Sequence, residues 1–274
     1  MVKQNLHCHT TFDDGASTPE EMVCAAMEHG LSSLGISAHA PMDGEDWCTP
    51  KEKEAAFKLE MQRLKEKYAG KIALYTGLEY DAAAEKNFDG YEYIIGSGHV
   101  LDGFYVDSTR ERAIALIKHF GGAEKAADVF FANYASACAY YAHCAQLADI
   151  ARADIVGHFD LLTKYNEQGA LYDTQSSWYR DAAFAAMETL NAAGKIFEMN
   201  TGAISRGYRT TPYPSPELLH HLHDIGGRIV ISSDSHSAGS ICCAFEQCEQ
   251  IARSCGFDEL WYFNGSCFEP EKLS

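Results

Sequence analysis

The chain has 274 residues, a hydrophobic fraction of 46%, ten cysteines and a net charge of −17. That length suits one large domain or two small ones, with ample apolar content for a core. The acidic balance argues against a nucleic-acid surface, which needs a basic stripe. No apolar run approaches the roughly 20 residues of a membrane span, and no basic-then-apolar leader opens the chain, so no signal peptide is expected.

The first apolar run, residues 2–6, reads as a strand. Thr18-Pro19-Glu20-Glu21 then starts a helix: Thr18 caps it, Pro19 suits the first turn and Glu21 completes a capping box. Met22, Ala25, Ala26 and His29 follow at helical spacing, and Gly30 stops it. Residues 34–37 form a second strand. Thr49-Pro50 opens a second helix with Phe57, Met61 and Leu64 on one face, up to Tyr68. Residues 72–78 and 91–95 are the third and fourth strands. A helical stretch covers 109–120, breaks at Gly121-Gly122 and resumes over 124–148. The remaining strands are 154–156, 196–199, 228–232 and 259–263. The helices between them cover 176–192, a segment from Ser215-Pro216-Glu217 to Gly226-Gly227, and 244–255.

This gives seven or eight β-α units without a Pro- or Ser-rich linker, an internal repeat or a low-complexity tract. Such alternation predicts a parallel sheet covered by helices. The number of units favours a closed barrel over an open doubly wound sheet. No Gly-x-Gly-x-x-Gly follows the first strand and no P-loop is present. The dispersed cysteines fit reduced thiols and a cytoplasmic setting better than a disulfide framework, and Cys242-Cys243 reads as part of a packed helix start.

The chemistry-bearing residues fall where apolar runs end. His7-Cys8-His9 follows the first strand, His39 the second, Glu79 ends the third, His99 and His158 each follow a glycine, and Asp234-Ser235-His236 follows a late strand. Parallel barrels gather their chemistry at the C-terminal strand ends. Residues two apart in a strand share a face, so His7 and His9, or Asp234 and His236, can reach one ion. A buried Glu79 demands a cation or strong hydrogen bonds, and its two oxygens can bridge two ions. Asp13 or Asp14 in the first loop is a further candidate, although Asp14-Gly15 alone reads as a turn. Six histidines, two or three aspartates and one glutamate at one end of the strands predict a metal centre with several ions. His29, His119, His143, His220, His221 and His223 sit mostly on helices and read as surface or packing residues.

This pattern resembles the polymerase-and-histidinol-phosphatase (PHP) superfamily over essentially the whole chain. His39-Ala40-Pro41, Gly77-Leu78-Glu79, Gly96-Ser97-Gly98-His99, Gly157-His158-Phe159-Asp160 and Glu198-Met199-Asn200-Thr201-Gly202 are similar to its histidinol-phosphate phosphatase branch. The resemblance implies an α/β fold, a distorted (β/α)7 barrel, TIM-barrel-like, as a single domain over residues 1–274. It implies three divalent ions, of zinc, iron or manganese. The first would take His7, His9, Glu79 and Asp234. The second would take Glu79, His99 and His158, and the third Asp14, His39 and His236. Related phosphatases often carry Glu before the histidine of His-Ala-Pro, where this chain has Ala38, so an outer partner that supports the third ion's ligands is expected to be missing and that site to be weakened or altered.

The implied reaction is hydrolysis of a phosphomonoester, L-histidinol phosphate, by a metal-bound hydroxide attacking phosphorus. Asp234 or Asp160 would handle the proton of the leaving alcohol. Arg206 is the first candidate for the phosphate cradle, because it lies in the loop after a strand and its fork matches phosphate oxygens; Arg209 and Lys164 come next. Residues 102–107 would form a contact loop for the substrate's amine and imidazole. The expected partner is a small-molecule phosphate ester, neither nucleic acid nor membrane, and oligomeric state is left open. The alternatives are another phosphoester substrate or a non-catalytic metal-binding protein.

Overall fold

Seven short strands alternate in side-chain direction, and that alternation sorts the molecule into an apolar outer layer and a mixed interior. The computed structural model describes residues 2–121, 129–169 and 171–273, with the backbone alone for 129–132. In chain order its elements are β1 (Gln4–Asn5), α1 (Pro19–Glu28), β2 (Ser33–His39), α2 (Lys51–Lys67), β3 (Ala73–Asp81), β4 (Tyr93–Ser97), β5 (Val100–Leu101) and β6 (Phe104–Tyr105). Then come α3 (Arg110–Gly121), α4 (Val129–Ala145), β7 (Ile155–Val156), α5 (Ser177–Ala192), β8 (Ile196–Asn200) and α6 (Gly202–Ser205). The chain finishes with α7 (Pro216–Asp224), β9 (Ile229–Ser232), α8 (Phe245–Ser254), β10 (Glu259–Phe263) and β11 (Phe268–Lys272).

The parallel sheet runs β1-β2-β3-β4-β7-β8-β9. A parallel bridge between Cys8 and Ser235 brings its two edges together, with the His9 amide donating to the Ser235 carbonyl at 2.8 Å. The result is a nearly closed seven-stranded barrel with helices between the strands, as the sequence predicts. The candidate eighth strand, residues 259–263, is β10, which pairs antiparallel with β11 and stays outside the parallel sheet. Of the long helical stretch, Gly122 and residues 124–128 lie outside the described residues. No helix among those described is long and apolar enough to cross a membrane.

The helix signals translate directly. Thr18 accepts from the Glu21 amide while the Glu21 carboxylate accepts from the Thr18 amide, a reciprocal cap that stabilises α1 by about 1 kcal/mol. Phe57, Met61 and Leu64 of α2 are completely buried, each contributing roughly 1.5–3 kcal/mol. They join one continuous apolar layer with the outward face of the sheet: Leu34, Ile36 and Ala38 of β2, Leu78 and Tyr80 of β3 and, further round the barrel, Phe197 and Met199 of β8.

The inward face changes character along the barrel. At the N-terminal end, Tyr93, Ile155, Ile196 and Val230 form an apolar plug with Leu6 and Ile95. Phe263 of β10 closes this end, and its backbone is held by both atoms of the Gln4 amide at 2.8 Å. At the other end the same face carries His39, Glu79, Ser97, Glu198 and Asn200, all buried. The apolar plug therefore supports a polar floor.

Candidate metal centre

Glu79 stands last but two in β3, paired in register with His39 of β2. Its inward carboxylate is 1% exposed and meets five histidines. Oε2 lies 3.1 Å from His7 Nε2, 3.3 Å from His9 Nε2 and 3.1 Å from His39 Nδ1. Oε1 lies 2.9 Å from His158 Nε2 and 3.4 Å from His99 Nε2, and accepts from Ser97 Oγ at 2.6 Å. Asp234 approaches from the opposite edge of the barrel, its Oδ1 3.3 Å from His9 Nε2 and 3.6 Å from His7 Nε2. Its φ of 48° is in the left-handed region, a conformation that Asp tolerates better than most residues. Asp14 Oδ2 lies 3.3 Å from His236 Nε2, and Asp14 Oδ1 is 3.8 Å from His39 Nε2.

All nine residues expected as ligands thus come to one end of the barrel. Four subsets hold donor atoms within 4.8 Å of one another: His9, Asp14, His39 and His236; His7, Glu79 and His158; His7, His9 and Asp234; and His39, Glu79 and His99. These sets overlap the three expected from the resemblance without coinciding with them. His39, for instance, joins Glu79 and His99 as well as Asp14.

The donor set fits divalent metal ions. His7 Nε2, His9 Nε2, Glu79 Oε2, His99 Nδ1 and His158 Nδ1 are buried without a hydrogen-bond partner among the described residues. Unsatisfied buried polar atoms are costly, and three of these meet at Glu79, with His7 Nε2 and His9 Nε2 each within 3.3 Å of its Oε2, and call for a cation. Outer partners aim the imidazoles inward. His7 Nδ1 is 2.6 Å from Glu198 Oε1 and His9 Nδ1 is 2.8 Å from Asp13 Oδ2, which turns both Nε2 atoms toward the centre. Asp81 accepts from the His99 amide at 2.6 Å and lies 3.5 Å from its Nδ1.

The electrostatics follow from this crowding. Burial opposes charge on His7, but Glu198, Glu79 and Asp234 outweigh it and hold its pKa well above the ordinary histidine value. His9 is raised against the same burial, chiefly by Asp13. His99 rises to about 9, burial being overcome by Glu79 and Asp81. His39 falls to about 4, because burial and neighbouring His9 both disfavour its charged form. Burial alone would raise Glu79 and Asp234, yet the surrounding histidines, with Arg206 for Asp234, keep both well below the carboxylate range.

A cavity of about 750 Å³ opens over this floor. Arg206 lines it, donating to the Asp234 carbonyl at 3.2 Å and to Asp234 Oδ2 at 3.1 Å. Lys164 also lines it, its ammonium 2.9 Å from Asp107 Oδ2. Asp160 and Arg209 do not reach it. They are buried against each other at 3.4 Å, with Arg209 also donating to Thr163 Oγ1 at 2.7 Å and lying over the Tyr213 ring. Of residues 102–107, Tyr105 and Asp107 line the cavity, whereas Asp102 turns away to His119 at 2.7 Å. Ala38 faces the outer apolar layer with Leu34, Ile36 and Ala40, opposite in direction to His39. The absence of an acid at that position therefore leaves the donors around His39 as described.

Sequence reasoning assigns no role to Glu198, Asp81, Trp47 or Glu45. Glu198 had a usable signal: it shares the inward face of its strand with Asn200, as a buried carboxylate like Glu79. Glu45 and Trp47 sit in a loop whose course over the cavity no local pattern announces.

The PHP domain family model matches residues 5–202. Histidinol-phosphatase of Bacillus subtilis is 24% identical, with 90% of this chain and 98% of that protein covered. A Deinococcus radiodurans protein named "Probable histidinol-phosphatase" is 27% identical over 91% of this chain and 92% of its own length. The crystal structure of histidinol phosphate phosphatase from Lactococcus lactis subsp. lactis, complexed with zinc, L-histidinol and phosphate, superposes with a TM-score of 0.73 at 20% identity, covering 97% of this chain and 98% of that one. With the family model spanning more than half of its length, this chain belongs to the PHP domain family.

Proposed function

We propose that this chain is a metal-dependent phosphomonoester hydrolase that converts L-histidinol phosphate to L-histidinol and phosphate. The observation that carries the reading is the cluster of buried, unpartnered His and Glu atoms around Glu79, at the mouth of a PHP barrel. The names of the relatives, and the histidinol and phosphate bound in the Lactococcus enzyme, support the choice of ester. We read residues 1–274 as one barrel unit acting on a small molecule. The charge of −17 speaks against nucleic acid, and ten free cysteines support a reducing, cytoplasmic compartment.

The ligands would be His7, His9, Asp14, His39, Glu79, His99, His158, Asp234 and His236, holding three ions. Imidazole and carboxylate donors suit zinc, iron or manganese alike. Such ions would supply Lewis-acid charge to the phosphoryl oxygens and acidify a water for attack at phosphorus. The protein's own groups do the rest. Glu198 and Asp13 fix the tautomers of His7 and His9. Arg206 offers its guanidinium to the phosphoryl group from beside Asp234, and Lys164 offers a second positive charge from the cavity wall. Asp234 lies at the cavity floor beside Arg206, and we assign its carboxylate to take the proton of the attacking water and return it to the leaving oxygen. Asp160 and Arg209 brace the wall rather than touch substrate.

The test is a phosphate-release panel with metal-loaded protein. L-histidinol phosphate should be turned over far faster than p-nitrophenyl phosphate or sugar phosphates. Comparable rates across the panel would reject the specificity. Retention of full activity in Asp234→Asn would reject the assigned site.

A further inference from the structure

The cavity wall is rich in carboxylates. Six carboxylates line it: Asp14, Glu45, Asp46, Glu79, Asp107 and Asp234. Four have a cationic or imidazole partner, respectively His236 for Asp14, the five histidines for Glu79, Lys164 for Asp107 and Arg206 for Asp234. Among the described residues, Glu45 and Asp46 have none within 4.0 Å. Asp46 is exposed, so water solvates its charge; Glu45 is half-buried.

Glu45 is nonetheless held firmly. Tyr105 Oη donates to Oε1 and Oε2 at 2.5 and 2.6 Å, and Trp47 Nε1 donates to Oε2 at 2.7 Å. Both donors are neutral. The Arg112 guanidinium also lines the cavity, lies on the Tyr105 ring face 4.4 Å from its centroid and interacts with the Tyr105 hydroxyl, so it stands behind Tyr105 rather than in direct contact with Glu45. The carboxylate thus has only neutral donors in contact and keeps part of its acceptor capacity, which is about four lone-pair sites. Trp47 links it to the metal centre: the indole packs edge-on against His39 and His99, with centroids 4.7 and 5.4 Å away. Arg206, Lys164, Trp47 and Glu45 line the same cavity, so an ester whose phosphoryl group is held beside Arg206 and Lys164 has Trp47 and Glu45 among the walls available to its alcohol portion.

We propose that Glu45 is a specificity-determining residue that selects phosphate esters whose alcohol carries a positive charge, by pairing its carboxylate with an ammonium or imidazolium N–H. This deepens the function proposed above and rests on it for the placement of the phosphoryl group. A pre-positioned anion with no cation of its own costs little reorganisation when a cationic group arrives, and charge-assisted hydrogen bonds are the strong ones. An ester with a neutral alcohol gains nothing there, and an anionic one is repelled.

The test compares wild type with Glu45→Gln as metal-loaded enzymes, the amide keeping size and an acceptor for Tyr105. The substrates are L-histidinol phosphate and a matched pair, O-phosphoethanolamine and ethyl phosphate. The preference for the cationic over the neutral ester, as a ratio of kcat/KM, should fall at least about tenfold, mainly through KM. Inhibition by L-histidinol should weaken in parallel while inhibition by inorganic phosphate changes by less than about twofold. Tyr105→Phe, which frees the carboxylate but keeps its charge, should shift the ratio less and in the same direction. Equal losses on both esters, or an unchanged ratio in both variants, overturn the proposal. The matched pair keeps the two readings separable: a wild type that ignores L-histidinol phosphate refutes the substrate assignment, while the ethanolamine-to-ethyl ratio still judges Glu45.

Discussion

Glu198 Oε1 lies 2.6 Å from His7 Nδ1, and neither side chain reaches solvent. The other Glu198 oxygen accepts from the His158 amide at 3.0 Å and from Asn200 Nδ2 at 2.8 Å. One carboxylate thereby orients His7 and anchors the backbone of His158. Glu198→Gln turns an amide NH₂ toward one of these donors and removes the charge that favours Nδ1–H on His7. Metal affinity should fall roughly 10–100-fold, the usual effect of losing an outer partner. Titration of metal-stripped protein with zinc and manganese measures this directly. Wild-type affinity in the variant would remove Glu198 from the site.

Glu79→Gln should do more than Glu198→Gln, because Glu79 touches five histidines rather than one. The variant should bind fewer ions per chain and lose phosphate release by more than the roughly 100-fold limit expected for an outer partner. Elemental analysis and a phosphate assay on the same preparation separate the two effects. A variant with unchanged ion content and near-normal turnover would show that Glu79 bridges nothing.

Much of this architecture is legible because its signals are local. The capping box of Thr18 and Glu21, the α2 stripe of Phe57, Met61 and Leu64, and the strand-end positions of His7, His9, Glu79 and Asp234 each need only a few consecutive residues. What sequence spacing does not reveal is pairing at a distance. His7 and Glu198 are separated by 191 residues, and Asp160 takes Arg209 as a partner from 49 residues away. Asp160 follows His158 closely enough to suggest a role in the site, yet it points into the wall. β10 is legible as a strand, but its antiparallel pairing with β11 is not, and the two-residue strands β5 and β6 are too short to carry a periodic signal.

Gly77 is required by Tyr93. A Cβ on Gly77 would lie 2.2 Å from Tyr93 Cζ, and one on Gly35 would lie 2.1 Å from its hydroxyl. The Tyr93 ring fills the barrel interior between these two glycines, and its hydroxyl donates to the Leu6 carbonyl. Gly77→Ala should destabilise the protein by at least about 1–3 kcal/mol through overpacking. Combined with Tyr93→Ala, which opens space, the cost should be clearly less than the sum of the single changes. Urea unfolding of the three variants tests this, and strict additivity would refute the contact.

Metal-stripped protein should have a stability optimum near the ordinary histidine pKa. His99 is raised to about 9 in the folded state, against about 6.5 when unfolded, and His7 and His9 are raised well above that value. A raised folded pKa gives stability that is complete below about pH 6.5 and is lost as pH climbs through the folded value. His39 has the opposite sign. Lowered to about 4, it contributes stability above pH 6.5 that is lost as pH falls through 4. His99 alone accounts for on the order of 1–3 kcal/mol, which for a chain of this size is several degrees in Tm. Bound divalent ions need neutral imidazoles, so loading should protect the protein most at high pH. Thermal melts at pH 6.5 and pH 9, with chelator and with zinc, should show Tm falling with pH only in the chelated sample. A chelated protein that grows more stable toward pH 9 would mean that these histidines are not held charged by Glu79, Asp234, Glu198 and Asp81.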